Sequence, residues 1–149
     1  MSPEYVPNAT VEKFGYPKSL ISEYAHWVVL LRPQQVTLAS LILACKSPAT
    51  EFSRIGESSF ETFGTVVSDI ESCLRRTFSY DKINYLMLMM VDPHVHFHVL
   101  PRYGSIRDFA GKTFIDAGWP SAPDLGAVND ITESQRSELL DHLRTHWPR

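Results

Sequence analysis

The sequence predicts an α+β domain in which an antiparallel sheet packs with one long helix and a second helix closes the chain. Three observations predict it. Between Ser58 and Phe78, the residues Phe60, Phe63, Val66, Val67, Ile70, Cys73, Leu74 and Phe78 recur at intervals of three and four, which makes one apolar helical stripe. Short apolar runs on both sides of it end at proline, as strands do. Two of these runs, Ile83–Val91 and His94–Leu100, are separated only by Asp92-Pro93. A parallel return needs a crossover of roughly a dozen residues or more, so the two must form an antiparallel hairpin.

Each element has its own signal. Residues 1–19 carry Pro3, Pro7, Gly15 and Pro17 and read as an irregular arm. Leu20–Tyr24 reads as a short strand. His26–Leu31 is apolar and β-branched and stops at Arg32-Pro33, because proline restricts the residue before it. Thr37–Lys46 is uniformly apolar, so its period cannot separate strand from buried helix, and the flanking breakers favour strand. Ser58 with Glu61 forms a capping-box pattern at the long helix, and Arg75 and Arg76 suit its negative end. Ile83–Val91 is apolar on both faces, which is how a central strand reads. The segment after Tyr103 is rich in Gly, Pro and Asp as far as Asp130. Thr132 and Gln135 then open a last helix whose buried stripe is Leu139, Leu140, Leu143 and Trp147. The organisation is one domain over 1–149, with an arm (1–19), a core (27–103) and a tail with the terminal helix (104–149).

Composition excludes several classes. A chain of 149 residues with 44% hydrophobic and 21% charged residues buries a core without disulfides or a structural metal. The net charge of −3 gives no general basic field, which argues against bulk binding to nucleic acid or to an anionic membrane and leaves room only for a local basic pocket. Cys45 and Cys73 each sit in an apolar run without a CxxC partner and read as buried free thiols of a reducing compartment. No apolar run approaches the ~20 residues of a membrane span, and Met1–Lys18 lacks a signal-peptide pattern. The expectation is a soluble cytoplasmic protein.

Three of the six histidines fall in His94-Val95-His96-Phe97-His98-Val99-Leu100. On a strand, His94, His96 and His98 share one face, about 6.8 Å apart, and Val95, Phe97 and Val99 take the other. The apolar face packs on the core and leaves the imidazoles to line a cleft. Crowded imidazoles disfavour being charged together, so at least one pKa falls and a neutral nucleophile persists near pH 7. A neighbour that stays protonated can hold a phosphate oxygen or protonate a leaving group. Three readings follow: a histidine-rich face without a role, a HxH metal pair completed by His26, Asp92 or Cys45, or phosphorus chemistry.

The run from His94 to Leu100, followed by Pro101-Arg102, resembles the His-x-His-x-His-x-x signature of the histidine triad (HIT) superfamily, where x is hydrophobic. Its Leu-Pro-Arg ending is most similar to the branch that contains the fragile histidine triad dinucleoside polyphosphate hydrolases. The resemblance implies a HIT-like fold around a sheet of about five antiparallel strands, paired into a homodimer. It implies hydrolysis or transfer of nucleoside phosphates by attack on the α-phosphate, with His96 as nucleophile and His94 and His98 orienting it and binding phosphate. It implies a nucleotide-like small-molecule substrate, no cofactor and no metal in the covalent step.

The chain departs from the family pattern in three places. Ala39-Ser40 stands where the family has Gly-His, and Leu30-Leu31-Arg32 stands where an asparagine is usual. Only Val91-Asp92-Pro93 lies between the predicted strand and His94, in place of a longer glycine-containing loop. A non-catalytic nucleotide-binding module therefore stands beside the enzyme as an alternative.

Arg102 and Asn84 are the candidate nucleotide- and phosphate-binding residues: Arg102 because an arginine at the strand end can grip phosphate with two hydrogen bonds, Asn84 from the neighbouring strand. Arg107 and Lys112 read as solvated surface charge. Asp92 fits either an imidazole-orienting role or turn chemistry before proline. Trp27, Tyr85 and Phe97 read as core aromatics, and Trp119-Pro120 as a lid or a dimer contact.

Overall fold

The computed structural model describes residues 5–148. Asn8 caps a short helix, α1 (Ala9–Lys13), by accepting the Val11 N–H on its side-chain oxygen at 3.0 Å. The arm is therefore not irregular throughout. It leads into β1 (Leu20–Glu23), β2 (Trp27–Leu31) and β3 (Leu41–Cys45). The long helix α2 (Glu57–Phe78) follows, then β4 (Lys82–Leu86) and β5 (His96–Arg102). A small hairpin, β6 (Arg107–Phe109) with β7 (Lys112–Phe114), and the terminal helix α3 (Glu133–His146) complete the chain.

The five large strands form one sheet in the order β1-β2-β3-β5-β4, with every neighbouring pair antiparallel. Every residue of β2, β3 and β5 is buried, because both faces of the sheet are covered. Period-two alternation sorts their side chains into two cores. Trp27, Val29, Leu31, Leu41, Leu43, Phe97 and Val99 pack with Val66, Ile70, Cys73 and Leu74 of α2 and with Leu139 and Leu143 of α3. Val28, Leu30, Ile42 and Ala44 pack on the opposite face with Val11 and Phe14 of the arm.

The structure corrects several expectations. The Ile83–Val91 run is not a central strand: β4 ends at Leu86 and lies at the sheet edge. At Met89 the backbone takes a left-handed φ of 48°, and Met90 and Val91 are 87% and 82% exposed. Residues 87–95 thus form a connection of nine residues to the histidine strand, longer than the sequence predicts, though without a glycine. Pro101 does not close that strand but sits inside β5, paired with Ile83. It lies beyond the last β3 partner, Val99 opposite Leu41, so no ladder donor is lost on that side.

The Ser58–Glu61 capping box does not form, because α2 begins at Glu57 behind Gly56 and Ser58 is already inside the first turn. The second capping box does form: Gln135 N–H donates to the Thr132 hydroxyl while the Thr132 N–H donates to the Gln135 side chain. Thr37–Ser40 forms a turn ahead of β3. Buried Gln35 staples it, accepting the Ala39 and Ser40 N–H groups and donating to the carbonyls of Arg32 and Ser40. In the tail, Ala110 and Gly111 join β6 to β7 with positive φ at both positions, the turn that matches strand twist. Arg107, read as surface charge, caps the end of α2 by donating to the carbonyls of Phe78 and Ser79. Cys45 and Cys73 are free and buried, and burial pushes the Cys73 thiol up to about 11. Among the described residues, no helix is long and apolar enough to cross a membrane.

Candidate active site

Alternation on β5 sends Phe97 and Val99 to the α2 core and His96 and His98 to the opposite face, as the sequence predicts. The two imidazoles lie 5.2 Å apart between ring centres, edge to face. His94 lies outside the strand, at the end of the 87–95 connection. Its part in the cluster is through the main chain: the His94 carbonyl lies 2.7 Å from His96 Nδ1. A carbonyl can only accept, so Nδ1 carries a proton, and the neutral tautomer this selects has its lone pair on Nε2. The His94 ring turns to the Pro48 carbonyl, with Nδ1 at 3.0 Å.

His98 carries the opposite tautomer. Arg32 Nε donates to His98 Nδ1 at 3.2 Å, and a guanidinium has only donors, so the His98 proton sits on Nε2. Burial first, then the Arg32 charge and then His96, push His98 down to about 4. His98 is therefore neutral near pH 7, and the positive charge fixed beside the two rings belongs to Arg32 and not to His98. Sequence reasoning missed this role. The available signal was a charge placed directly after the apolar run Val28–Leu31, within the Leu30-Leu31-Arg32 stretch where the resemblance expects an asparagine. Arg32 reaches His98 because β2, β3 and β5 are consecutive in the sheet, with Leu30 opposite Ile42 and Ile42 opposite His98.

The imidazoles do not line an open cleft. Phe14 covers both, with ring centres 5.6 Å from His96 and 5.8 Å from His98, and leaves them 1% and 8% exposed. The arm that carries Phe14 is clamped to the histidine segment. Thr10 accepts the His94 N–H at 3.4 Å, Lys13 pairs with Asp92 at 2.8 Å, and Asn8 donates to the carbonyls of Cys45 and Ser47. Asp92 thus holds the arm and orients no imidazole. His26 lies in the turn between β1 and β2, where its carbonyl accepts the Lys46 N–H.

Arg102 and Asn84 come together, but away from the histidines. Arg102 lies six residues beyond His96 on β5, roughly 20 Å along the strand. It is 3% exposed and each of its three guanidinium nitrogens is engaged: Nε and Nη2 donate to Asp116 at 2.7 and 2.9 Å, and Nη1 donates to Asn84 Oδ1 at 2.8 Å. Asp116 also accepts the Tyr103 N–H. This is a clamp between sheet and tail, with Trp119 and Pro120 beside it. Among the described residues, no group of three or more His, Cys, Asp and Glu side chains is placed to hold a metal ion. The nearest candidate pair, His96 and His98, has a guanidinium on it, which repels a second cation.

The architecture is that of histidine triad proteins. A histidine triad protein from Bradyrhizobium japonicum matches with a TM-score of 0.75 at 19% identity, over 98% of this chain and 100% of its own. One from Sinorhizobium meliloti 1021 matches at 0.73 and 16%, over 95% and 96%. A hypothetical histidine triad nucleotide-binding protein from Sulfolobus tokodaii strain 7 matches at 0.64 and 15%, over 86% and 82%. No protein-family model and no curated protein matches the sequence. At these identities the likeness establishes the fold and does not single out the fragile histidine triad branch.

The depressed His98 pKa has a consequence for stability. Between about pH 4 and pH 6.5 the unfolded chain binds a proton at His98 that the folded chain does not. Stability is therefore full above about 6.5 and falls as the pH drops toward 4. Urea unfolding should give a wild-type stability about 2 kcal/mol lower at pH 5 than at pH 7 from this group. His98→Gln should flatten that slope, and an unchanged slope in the variant would assign it to other groups.

Proposed function

We propose that the chain is a nucleotide phosphohydrolase or nucleotidyl transferase of the histidine triad type, attacking the α-phosphate through His96. The observation that carries this reading is the 2.7 Å contact between His96 Nδ1 and the His94 carbonyl, which selects the tautomer whose lone pair is on Nε2. In the first step Nε2 forms a bond to phosphorus and the bond to the leaving group breaks. The His94 carbonyl stabilises the positive charge that develops on the ring, still protonated at Nδ1. The leaving group takes its proton from water, while neutral His98 can offer it a hydrogen bond from Nε2–H without giving up that proton. Water or another acceptor then attacks the phosphoramidate, the P–N bond breaks and the nucleophile returns neutral. Arg32 offsets phosphate charge throughout. Because His96 is covered, Phe14 moves aside before phosphate reaches Nε2.

The same reading includes a homodimer, supported by the family resemblance, and a cytoplasmic setting, supported by the two buried free thiols. The Sulfolobus tokodaii neighbour is described as nucleotide-binding, which supports the substrate class. A binding module without turnover is the second reading, favoured by the cover that Phe14 and α1 place over the nucleophile. Rapid quench with an α-labelled adenosine phosphoramidate or dinucleoside polyphosphate separates the two. An acid-labile adduct on His96 is the expected result. Tight nucleotide binding with no adduct and no turnover would establish the module instead.

A further inference from the structure

We infer that a groove beside the imidazoles binds a second anionic group of the substrate, a phosphate or carboxylate separate from the one that meets His96. The inference rests on the active-site reading above and adds the charge pattern of the molecule that fills the site. The groove has a volume of about 790 Å³ and runs from the arm, past the end of β2, to α3. Phe14 is common to both places: it lies on His96 and His98 and also lines the groove. Leu31 and Leu140 extend the apolar floor.

The charged lining is one-sided. Lys18, Arg136 and Arg144 stand against a single carboxylate, Glu133, in a chain whose net charge is −3. Glu133 is divided between Lys18 and Arg136, each at 3.5 Å, so it satisfies neither fully. Arg144 has Asp141 at 3.9 Å, an exposed pair of little strength. Two main-chain carbonyls hold the guanidinium heads in place: Arg136 donates to Pro33 at 2.7 Å and Arg144 to Leu20 at 2.8 Å. Arginine has five N–H donors, so each head keeps donors for a ligand.

Arg32 adds to the imbalance. It stands between Leu31 and Pro33, which both line the groove. Among the described residues it has no carboxylate within 4 Å, and its acceptors are neutral: His98 Nδ1 and the Gln34 carbonyl. A half-buried cation without a counterion is costly unless a ligand supplies the anion. One phosphate between His96 and Arg32 satisfies that need but leaves the groove cations unanswered. An apolar or aromatic moiety on Phe14, Leu31 and Leu140, ending in a second anion, answers both. A neutral tail would be served by the apolar floor alone. The cations also dock α3 on the arm, on β1 and on the turn after β2, so the test must read ligand preference and not stability.

The test is equilibrium binding of three probes to the full chain at low salt. AMP carries one phosphate group, adenosine 3′,5′-bisphosphate carries a second on the sugar, and ADP carries it on the phosphate chain. We expect one of the two doubly anionic probes to bind about tenfold tighter than AMP, and which one does identifies the source of the second anion. The ratio should fall toward one in 0.5 M salt, where the Debye length is roughly 4 Å. It should also fall toward one in Lys18→Glu and in Lys18→Glu with Arg136→Gln. Lys18 is 85% exposed, so the single variant keeps the fold and carries the test if the double variant does not. AMP binding with no preference for either second anion, or a preference unchanged in Lys18→Glu, overturns the groove assignment and leaves the His96 reading standing. Failure of all three probes on wild-type protein overturns both.

Discussion

His96→Ala should lower turnover by roughly three orders of magnitude or more, measured as steady-state kcat on the substrate that gives the adduct. The covalent step disappears with the ring, and no neighbour replaces it: His98 Nδ1 accepts from Arg32, and the His94 ring is turned to Pro48. His94→Ala should behave differently. His94 meets the His96 ring through its carbonyl, which alanine keeps, so on the proposed mechanism turnover should fall by about tenfold or less. Nucleoside monophosphate binding to His96→Ala should stay within about tenfold of wild type. Near wild-type turnover in His96→Ala would remove the mechanism. A His94→Ala loss as deep as that of His96→Ala would show that the ring of His94, and not its backbone, serves catalysis.

The second large effect is on stability. The Arg102 and Asp116 side chains are 4% and 2% exposed, and the pair is held in two-pronged geometry. Removing one partner strands a buried charge, so Asp116→Ala should cost about 3–5 kcal/mol in urea unfolding at pH 7. The double variant Arg102→Met with Asp116→Leu should recover much of that loss, because both buried charges are then gone. Turnover per folded molecule should change little, since the clamp lies roughly 20 Å along β5 from His96. A loss under about 1 kcal/mol in Asp116→Ala would mean that the clamp opens to water in solution.

The two predictions touch residues of one strand whose parity is the same, and this shows where the sequence was sufficient. Alternation along His96–Arg102 is a local property, so the division of Phe97 and Val99 from His96 and His98 could be read directly. The same holds for the middle of the α2 stripe, whose Val66, Ile70, Cys73 and Leu74 are buried as their spacing predicts while Phe60 near its start is 43% exposed, and for the Thr132–Gln135 cap. These features need only the chain's own period or a partner three residues away.

What faces an alternating residue is another matter, because it depends on segments far away in the chain. Arg102 and His98 lie on the same side of β5, yet one meets Asp116 and the other Arg32, from 14 residues downstream and 66 residues upstream. The strand order β2-β3-β5 carries Arg32 to His98, and no local pattern encodes that order. The edge position of β4 escaped notice for a related reason. Continuous apolarity marks Ile83–Val91 as fit for burial, but Met90 and Val91 are exposed once the chain turns out of the sheet at Met89. The cover over His96 is the furthest from sequence reasoning. Phe14 stands 82 residues before His96, in an arm that reads as irregular, and only packing on Leu30, Ile42 and Ala44 brings it onto the imidazoles. Burial of that face follows from side chains that the fold brings together, and with it come the lowered His98 pKa and the closed approach to His96.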